Sequence, residues 1–298
     1  MTLAGLDLVL AGINKKLYPI VPAACVLAER PGPSQLAVSL ALAKLRKHFD
    51  DPLFVRTGRG LAATPLTVAL MPQVRAAIDA LQATMAFKLV FSPRHSEQHF
   101  RLCITDTGQI TLLPQLLARL AKEAPHVRVD VSTVSEGTPR ELALGELDLA
   151  IGFMPHIGSD FYQQVVLEER FICLARAEHP RVKGRLTLAA FERELHAIVT
   201  TSGTGQYVVD KAISANNVTR RVGVHIPNFI GLAEVIEATD LLCTVPRRAG
   251  VMMARGAGVK VFDPPFVIPA YRVRQHWHDR LNNDPGHRWL RSLMVDLF

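Results

Sequence analysis

The stretch SQLAVSLALAKLRKHFDDPLFVRTGRG, residues 34–60, joins an amphipathic helix to a short strand studded with cations. Leu36, Val38, Leu40, Leu42, Leu45 and Phe49 recur mainly at helical spacing, and Ser34 stands at an N-cap position with Gln35 beside it. Lys44, Arg46, Lys47 and His48 crowd the last turn, where cations complement the carbonyl end of the helix dipole. After Asp50-Asp51-Pro52, residues 53–57 read as a strand and Gly58-Arg59-Gly60 as a tight turn. A helix followed at once by a two-stranded hairpin is a winged-helix pattern. Its polar face suits a DNA major groove: Gln35 and Ser39, next to Ser34, can read base edges. Lys44, Arg46, Arg56 and Arg59 can hold phosphates or the adjacent minor groove. On pattern alone, a solvated amphipathic helix is the competing reading.

Around this stretch, composition sets the limits. With 298 residues, the chain can bury a substantial core in one large or two medium domains. The hydrophobic share is 49%, yet the longest charge-free runs are too short or too broken by proline to span a bilayer. Lys15-Lys16 precedes only a short apolar run interrupted by Pro19 and Pro22, which is no secretory signal, so a cytoplasmic protein is expected. Cys25, Cys103, Cys173 and Cys243 are far apart and set mostly in apolar runs, as reduced core thiols would be. The net charge of +7 is uneven: residues 1–98 carry 11 Lys and Arg against 6 Asp and Glu, the rest 23 against 21. A basic first third suits phosphate binding without requiring it.

Downstream of the hairpin, Thr64-Pro65 caps a long helix whose apolar residues, from Leu66 to Met85, repeat at three and four. Pro72 should distort it, and its long, lightly charged stripe suits dimerisation. Residues 88–98 read as a hinge. Beyond them strands and helices alternate, the sign of a parallel-sheet α/β domain. One set has strands at 99–105, 127–134 and 147–153 with helices at 109–124 and 138–144. A second has strands at 171–175, 197–201, 222–226 and 241–245 with helices at 188–195, 206–215 and 230–238. A strand near 271–277 and a helix opening at Asp284-Pro285 close the chain. Two such sets suggest two subdomains facing each other across a cleft.

These residues resemble the recognition helix, wing and linker start of LysR-type transcriptional regulators. The match runs through Ser34, Gln35, Ala37, Val38, Ser39, Leu42, Ala43, Leu45, Arg46 and Phe49. It continues through residues 51–57, Arg59-Gly60 and Thr64-Pro65; Leu36 stands where the family usually has proline. Trp277-His278, Asp284-Pro285-Gly286 and Trp289-Leu290-Arg291 resemble the subgroup of nodulation regulators and regulators of naphthalene, salicylate and nitrotoluene degradation. Thr105-Asp106-x-Gly108, residues 148–152 and residues 244–248 fit the same subgroup. The resemblance implies an α/β protein with a winged helix-turn-helix over 1–62, a linker helix over 63–87 and a hinge over 88–98. It further implies a two-subdomain periplasmic-binding-protein-like effector domain over 99–298, with subdomain I at about 99–169 and 272–298 and subdomain II at about 170–271. Promoter DNA, an aromatic small effector and a homodimer or homotetramer are the implied partners, with no cofactor and no catalysis. Residues 9–27 and Pro31-Gly32-Pro33 depart from the family pattern, by a locally shifted reading frame or by divergence. An effector-binding protein with a defective DNA-binding head is therefore the alternative.

Enzyme motifs are missing. His276-Trp277-His278-Asp279 lacks an upstream set that would complete a metal site, Ser202-Gly203-Thr204-Gly205 lacks the lysine and spacing of a phosphate loop, and there is no G-x-S-x-G. In α/β units ligands sit at the C-terminal ends of strands. That rule selects Asp106, Thr107, Gln109, Phe153, Thr201, Asn228 and Phe229, with Glu169 and Phe171 at the crossover and His276 on the last strand, as effector-binding candidates. A carboxylate at Glu169 would repel an anion unless a cation offsets it, which favours a neutral or phenolic effector.

Overall fold

The computed structural model describes residues 35–57, 60–155, 157–256 and 258–298, and the side chains of all of these but 35–38 and 60. Ser34, Arg59, Cys25 and the atypical 9–33 segment lie outside the described residues. The chain divides into two compact units, Met1–Lys88 and Leu89–Phe298. No helix of the described residues is long and apolar enough to cross a membrane.

In the first unit, helix α1 (Gln35–Phe49) leads into a hairpin of β1 (Phe54–Thr57) and β2 (Gly60–Ala63), and helix α2 (Pro65–Ala86) follows. Asp51, Thr64 and Thr67 explain the local geometry. The Asp51 carboxylate accepts the Leu53 N–H at 2.6 Å and the Thr64 hydroxyl at 2.8 Å, and Thr64 Oγ1 in turn caps α2 by accepting the Thr67 N–H. The Thr67 hydroxyl donates to the Leu53 carbonyl at 2.7 Å, which holds Leu53 in its left-handed conformation at φ 58°. One knot thus ties the end of α1, the wing and the start of α2. Helix α2 is one element of 22 residues with Pro72 inside it.

The second unit holds two five-stranded sheets, both mixed and not purely parallel as the alternation suggests. The first is built from β3 (His99–Ile104), β4 (Arg128–Ser132), β5 (Leu149–Gly152), β6 (Phe161–Glu169) and β12 (Tyr271–His278), in the order β4-β3-β5-β12-β6. Strand β12 runs antiparallel to both neighbours. The second contains β7 (Phe171–Arg176), β8 (Leu195–Val199), β9 (Arg221–Ile226), β10 (Leu242–Pro246) and β11 (Val259–Phe262), in the order β11-β7-β10-β8-β9, with β7 antiparallel to β10 and β11. Strands β6 and β11 are absent from the sequence reading. Both are sheet edges, so neither shows the clean apolar alternation of a strand half-buried along its length.

Helices α3 (Asp106–Thr111), α4 (Leu113–Glu123), α5 (Thr138–Leu144) and α10 (Pro285–Leu297) accompany the first sheet. Helices α6 (Leu188–Arg193), α7 (Gln206–Ala215), α8 (Leu232–Glu237) and α9 (Arg247–Met253) accompany the second. Asp284 caps α10 by accepting the His287 N–H at 2.7 Å, and the Arg291 guanidinium lies 4.2 Å from the Trp277 ring. These contacts give the Asp284-Pro285 and Trp277 motifs a packing role. Cys103, Cys173 and Cys243 are free and buried, and burial pushes all three thiols up, Cys173 to about 12. The chain crosses between the sheets at Arg170, where β6 ends and β7 begins, and returns between β11 and β12, so that Tyr271 pairs with Glu169.

Candidate effector cavity and nucleic-acid interface

Strand ends build the cleft between the two sheets. At the end of β3, Thr105 Oγ1 accepts the Gly108 N–H at 3.1 Å and lies 3.1 Å from Thr107 Oγ1, which turns the chain into α3. Behind β8, Gly203 sits at φ +78°, and a Cβ there would lie 2.8 Å from Thr105 Cγ2. Only a residue without a side chain lets this loop approach the first sheet so closely.

Two hydrogen bonds bridge the cleft. The Asp106 carboxylate accepts the Phe229 N–H at 2.8 Å, and the Phe153 N–H donates to the Gly203 carbonyl at 2.8 Å. Burial raises Asp106 above the usual carboxylate range, and the N–H groups of Phe229 and Thr107 offset part of that shift. Inside lies a cavity of ≈ 20 Å³ lined by Thr105, Thr107, Thr111, Ile151, Leu167, Glu169, Gly203, Arg248, Tyr271 and others. That is space for about one water. Glu169 is buried and raised chiefly by desolvation; the Arg170 N–H bonded to it and the nearby Arg248 pull the other way. Tyr271 stacks on Phe171 with centroids 5.1 Å apart and meets Phe153 edge-on at 5.4 Å. Outside the cavity, and sharing Thr111, Glu169 and Arg248 with it, opens a groove of ≈ 620 Å³.

Of the residues selected from sequence, Thr107 and Glu169 line the cavity. Asp106, Phe153 and Phe229 close the cleft, and Phe171 backs the Tyr271 ring. Four are engaged elsewhere. Gln109 donates to the Ile104 carbonyl, the Thr201 carbonyl accepts the Thr204 hydroxyl, and Asn228 accepts the Ile230 N–H. His276 is 1% exposed within the first sheet, beside Ala150. The sequence reading lacked Thr105, Gly203, Arg248 and Tyr271 as cavity residues. Arg248 follows the end of β10, so the strand-end rule reaches it once that helix start is recognised. Among the described residues no three His, Cys, Asp or Glu side chains gather as a metal site.

In the first unit, Ser39, Lys44 and Arg46 are exposed on α1 and Arg56 is exposed on the wing strand β1. The Arg46 Nε donates to the Pro52 carbonyl at 2.8 Å, anchoring that guanidinium where helix meets wing. Ser34, Arg59 and the side chain of Gln35 lie outside the described residues.

Comparison with known proteins agrees with this architecture. The LysR substrate binding domain matches residues 93–298, and the bacterial regulatory helix-turn-helix protein, lysR family, matches residues 28–67. The chain is 34% identical to the HTH-type transcriptional activator NahR of Pseudomonas putida over 299 residues, covering 100% of this chain and 99% of that protein. It is 33% identical to the HTH-type transcriptional activator NagR of Ralstonia sp over 271 residues, 91% of this chain and 90% of that protein. Among solved structures, the probable transcriptional regulator PA0477 from Pseudomonas aeruginosa aligns with a TM-score of 0.63 at 30% identity, covering 89% of each chain. A helix-turn-helix segment followed by a two-sheet substrate-binding domain, matched over nearly the whole length, makes this chain a member of the LysR family of transcriptional regulators.

Proposed function

We propose that the chain binds promoter DNA as a dimer or tetramer in the cytoplasm and is controlled by a neutral or phenolic aromatic effector that enters the cleft between its two sheets. The observation that carries this reading is a polar cavity at the strand ends, beside the Phe153, Phe171 and Tyr271 rings, shut by two hydrogen bonds. The carboxy-terminal motifs shared with regulators of aromatic degradation support the same effector class.

An aromatic ring needs a cavity on the order of 150 Å³. The effector must therefore part the sheets, breaking the Asp106 to Phe229 and Phe153 to Gly203 bonds. Each such bond contributes about 1 kcal/mol net, more where a carboxylate accepts, so opening is within reach of a small ligand's binding energy. Binding then favours the open arrangement, and a change between subdomains is passed to paired DNA-binding heads on their half-sites. On DNA, Gln35 and Ser39 at the start of α1 read bases, with Ser34 as cap, while Lys44, Arg46, Arg56 and Arg59 neutralise phosphate.

Titration of the full chain against the DNA upstream of its own gene, at two salt concentrations beside a scrambled duplex, tests the DNA half. Preference for the native duplex, weakening as salt rises, is expected. Equal affinity for both duplexes would favour the second reading, an effector-binding protein whose head does not read DNA. One observation supports that alternative: the helix-turn-helix match begins at residue 28 and leaves residues 9–27 outside it.

A further inference from the structure

The effector domain carries a further concavity at the end of the second sheet remote from the cleft. Strand β8 runs parallel to both β9 and β10, so their C-terminal ends lead to the cleft and their N-terminal ends gather on the far side. There Leu195 opens β8, Arg221 opens β9 and Leu241 precedes β10. With Arg181, Arg193, Glu194 and Asp240 they line a groove of ≈ 540 Å³. It shares no residue with the effector cavity or with the groove outside that cavity.

Its two carboxylates hold the cations in place. Glu194 is buried and accepts from Arg181 Nε at 2.8 Å, Arg181 Nη2 at 2.6 Å and Arg193 Nε at 3.1 Å. Asp240 lies 2.7 Å from Arg176 and 3.4 Å from Arg181, and Arg221 Nη1 donates to the Arg193 carbonyl at 2.7 Å. Each guanidinium of the groove is thus fixed through part of its N–H set. Arg181 Nη1, both Nη atoms of Arg193, and Nε and Nη2 of Arg221 have no partner among the described residues. Rotamer freedom that loose arginines would give up on binding is already lost in this arrangement. Arg176, Arg181, Arg193 and Arg221 against Glu194 and Asp240 leave a net of two positive charges. We propose that this groove binds a small phosphate monoester, its phosphoryl group on Arg181, Arg193 and Arg221 and its organic body against Leu195 and Leu241. Three acceptor oxygens carrying a charge of about −2 match the free N–H forks in number and sign. The groove is far larger than the phosphoryl group, and Leu195, 42% exposed, gives the body an apolar wall. The site depends neither on what the cleft binds nor on DNA.

The test follows the Leu195 and Leu241 methyl resonances of the full chain, carbon-13 labelled at leucine and isoleucine methyls. Constant ionic strength and a pH of about 7.5 keep a phosphate monoester mostly dianionic. Ribose 5-phosphate, sulfate and dimethyl phosphate are the titrants: a monoester dianion, a bare dianion, and a monoanionic diester like the nucleic-acid backbone. Ribose 5-phosphate should move both leucine signals saturably and bind at least about tenfold tighter than either of the others. The R193Q/R221Q variant should weaken that binding about tenfold or more, and R221Q alone, which leaves Glu194 both its partners, about threefold or more. The control pair R128Q/R140Q removes the same charge from exposed positions elsewhere and should leave binding unchanged. Shifts at the Ile151 and Leu112 methyls report the effector cavity separately. The proposal is overturned if neither leucine responds, if sulfate or dimethyl phosphate binds as tightly, or if the control pair weakens binding as much as the groove pair.

Discussion

At Gly203 a single hydrogen atom in place of a side chain decides how near the two sheets come. The residue holds φ at +78°, which costs an L-residue about 1–2 kcal/mol, and any Cβ meets Thr105 Cγ2 at 2.8 Å. Gly203→Ala should therefore destabilise the effector domain by roughly 2 kcal/mol and lower its melting temperature by several degrees. Thermal unfolding of the variant beside the native chain reads this directly, and an unchanged transition would mean that the loop relaxes without cost. Gly203 was visible in the sequence as part of Ser202-Gly203-Thr204-Gly205, yet the reason for it was not. Its neighbours Thr105 and Val134 belong to another sheet, and no local pattern brings them together.

The elements themselves carry their own instructions where caps and periodicity agree. Thr64-Pro65 and Asp284-Pro285 mark the starts of α2 and α10, and both side chains accept the backbone N–H that an N-cap should. Legibility fails at the edges: the β6 sequence FYQQVVLEE is mostly exposed along its first half, and β11 is four residues long. Where two elements meet, Asp106 at the start of α3 and Phe229 before α8 form the latch of the cleft. Asp106→Ala removes a charged acceptor, so protection of the Phe229 amide against hydrogen exchange should fall about tenfold or more. If that amide exchanges as slowly as in the native chain, the latch is not what keeps the cleft closed.

Across the whole effector domain, buried histidines set the response to acid. His196, His276 and His287 are each lowered to about 4 from 6.5, burial being the leading cause. His287 shows how the neutral ring is held. Its Nε2 lies 2.8 Å from the Asp148 carbonyl and its Nδ1 2.6 Å from Arg291 Nη1, so one nitrogen donates while the other accepts. A folded value below the unfolded one means that the native state binds fewer protons. Stability is full above pH 6.5 and is lost as pH falls toward 4, by up to about 3 kcal/mol for each ring. Asp106 and Glu169, both raised by burial, act in the opposite sense, because their native forms hold protons more tightly than the unfolded chain does. The urea midpoint should thus drop between pH 7 and pH 5, and the three imidazole signals should stay unprotonated at pH 5.5 by nuclear magnetic resonance. A ring titrating near 6.5 would exclude that histidine from the effect.

The amino-acid sequence by itself determined the order of most helices and strands, though not the two edge strands β6 and β11, together with the winged hairpin behind α1, the capped linker helix and the division into two α/β sets. Caps, turns and apolar periodicity act within a few residues, so a linear reading reaches them. It also put the candidate site at strand ends, because the cleft of such sheets follows from their topology. Only the tertiary structure decided which atoms shut that cleft, that two edge strands complete mixed sheets, and that His276 belongs to the core. Asp106 and Phe229 are 123 residues apart in the chain, and Phe153 meets Gly203 across the gap between sheets. The cavity's size depends on how closely two separately formed sheets approach. That distance is set by side-chain packing and by a glycine's missing Cβ, which no periodicity along the chain encodes.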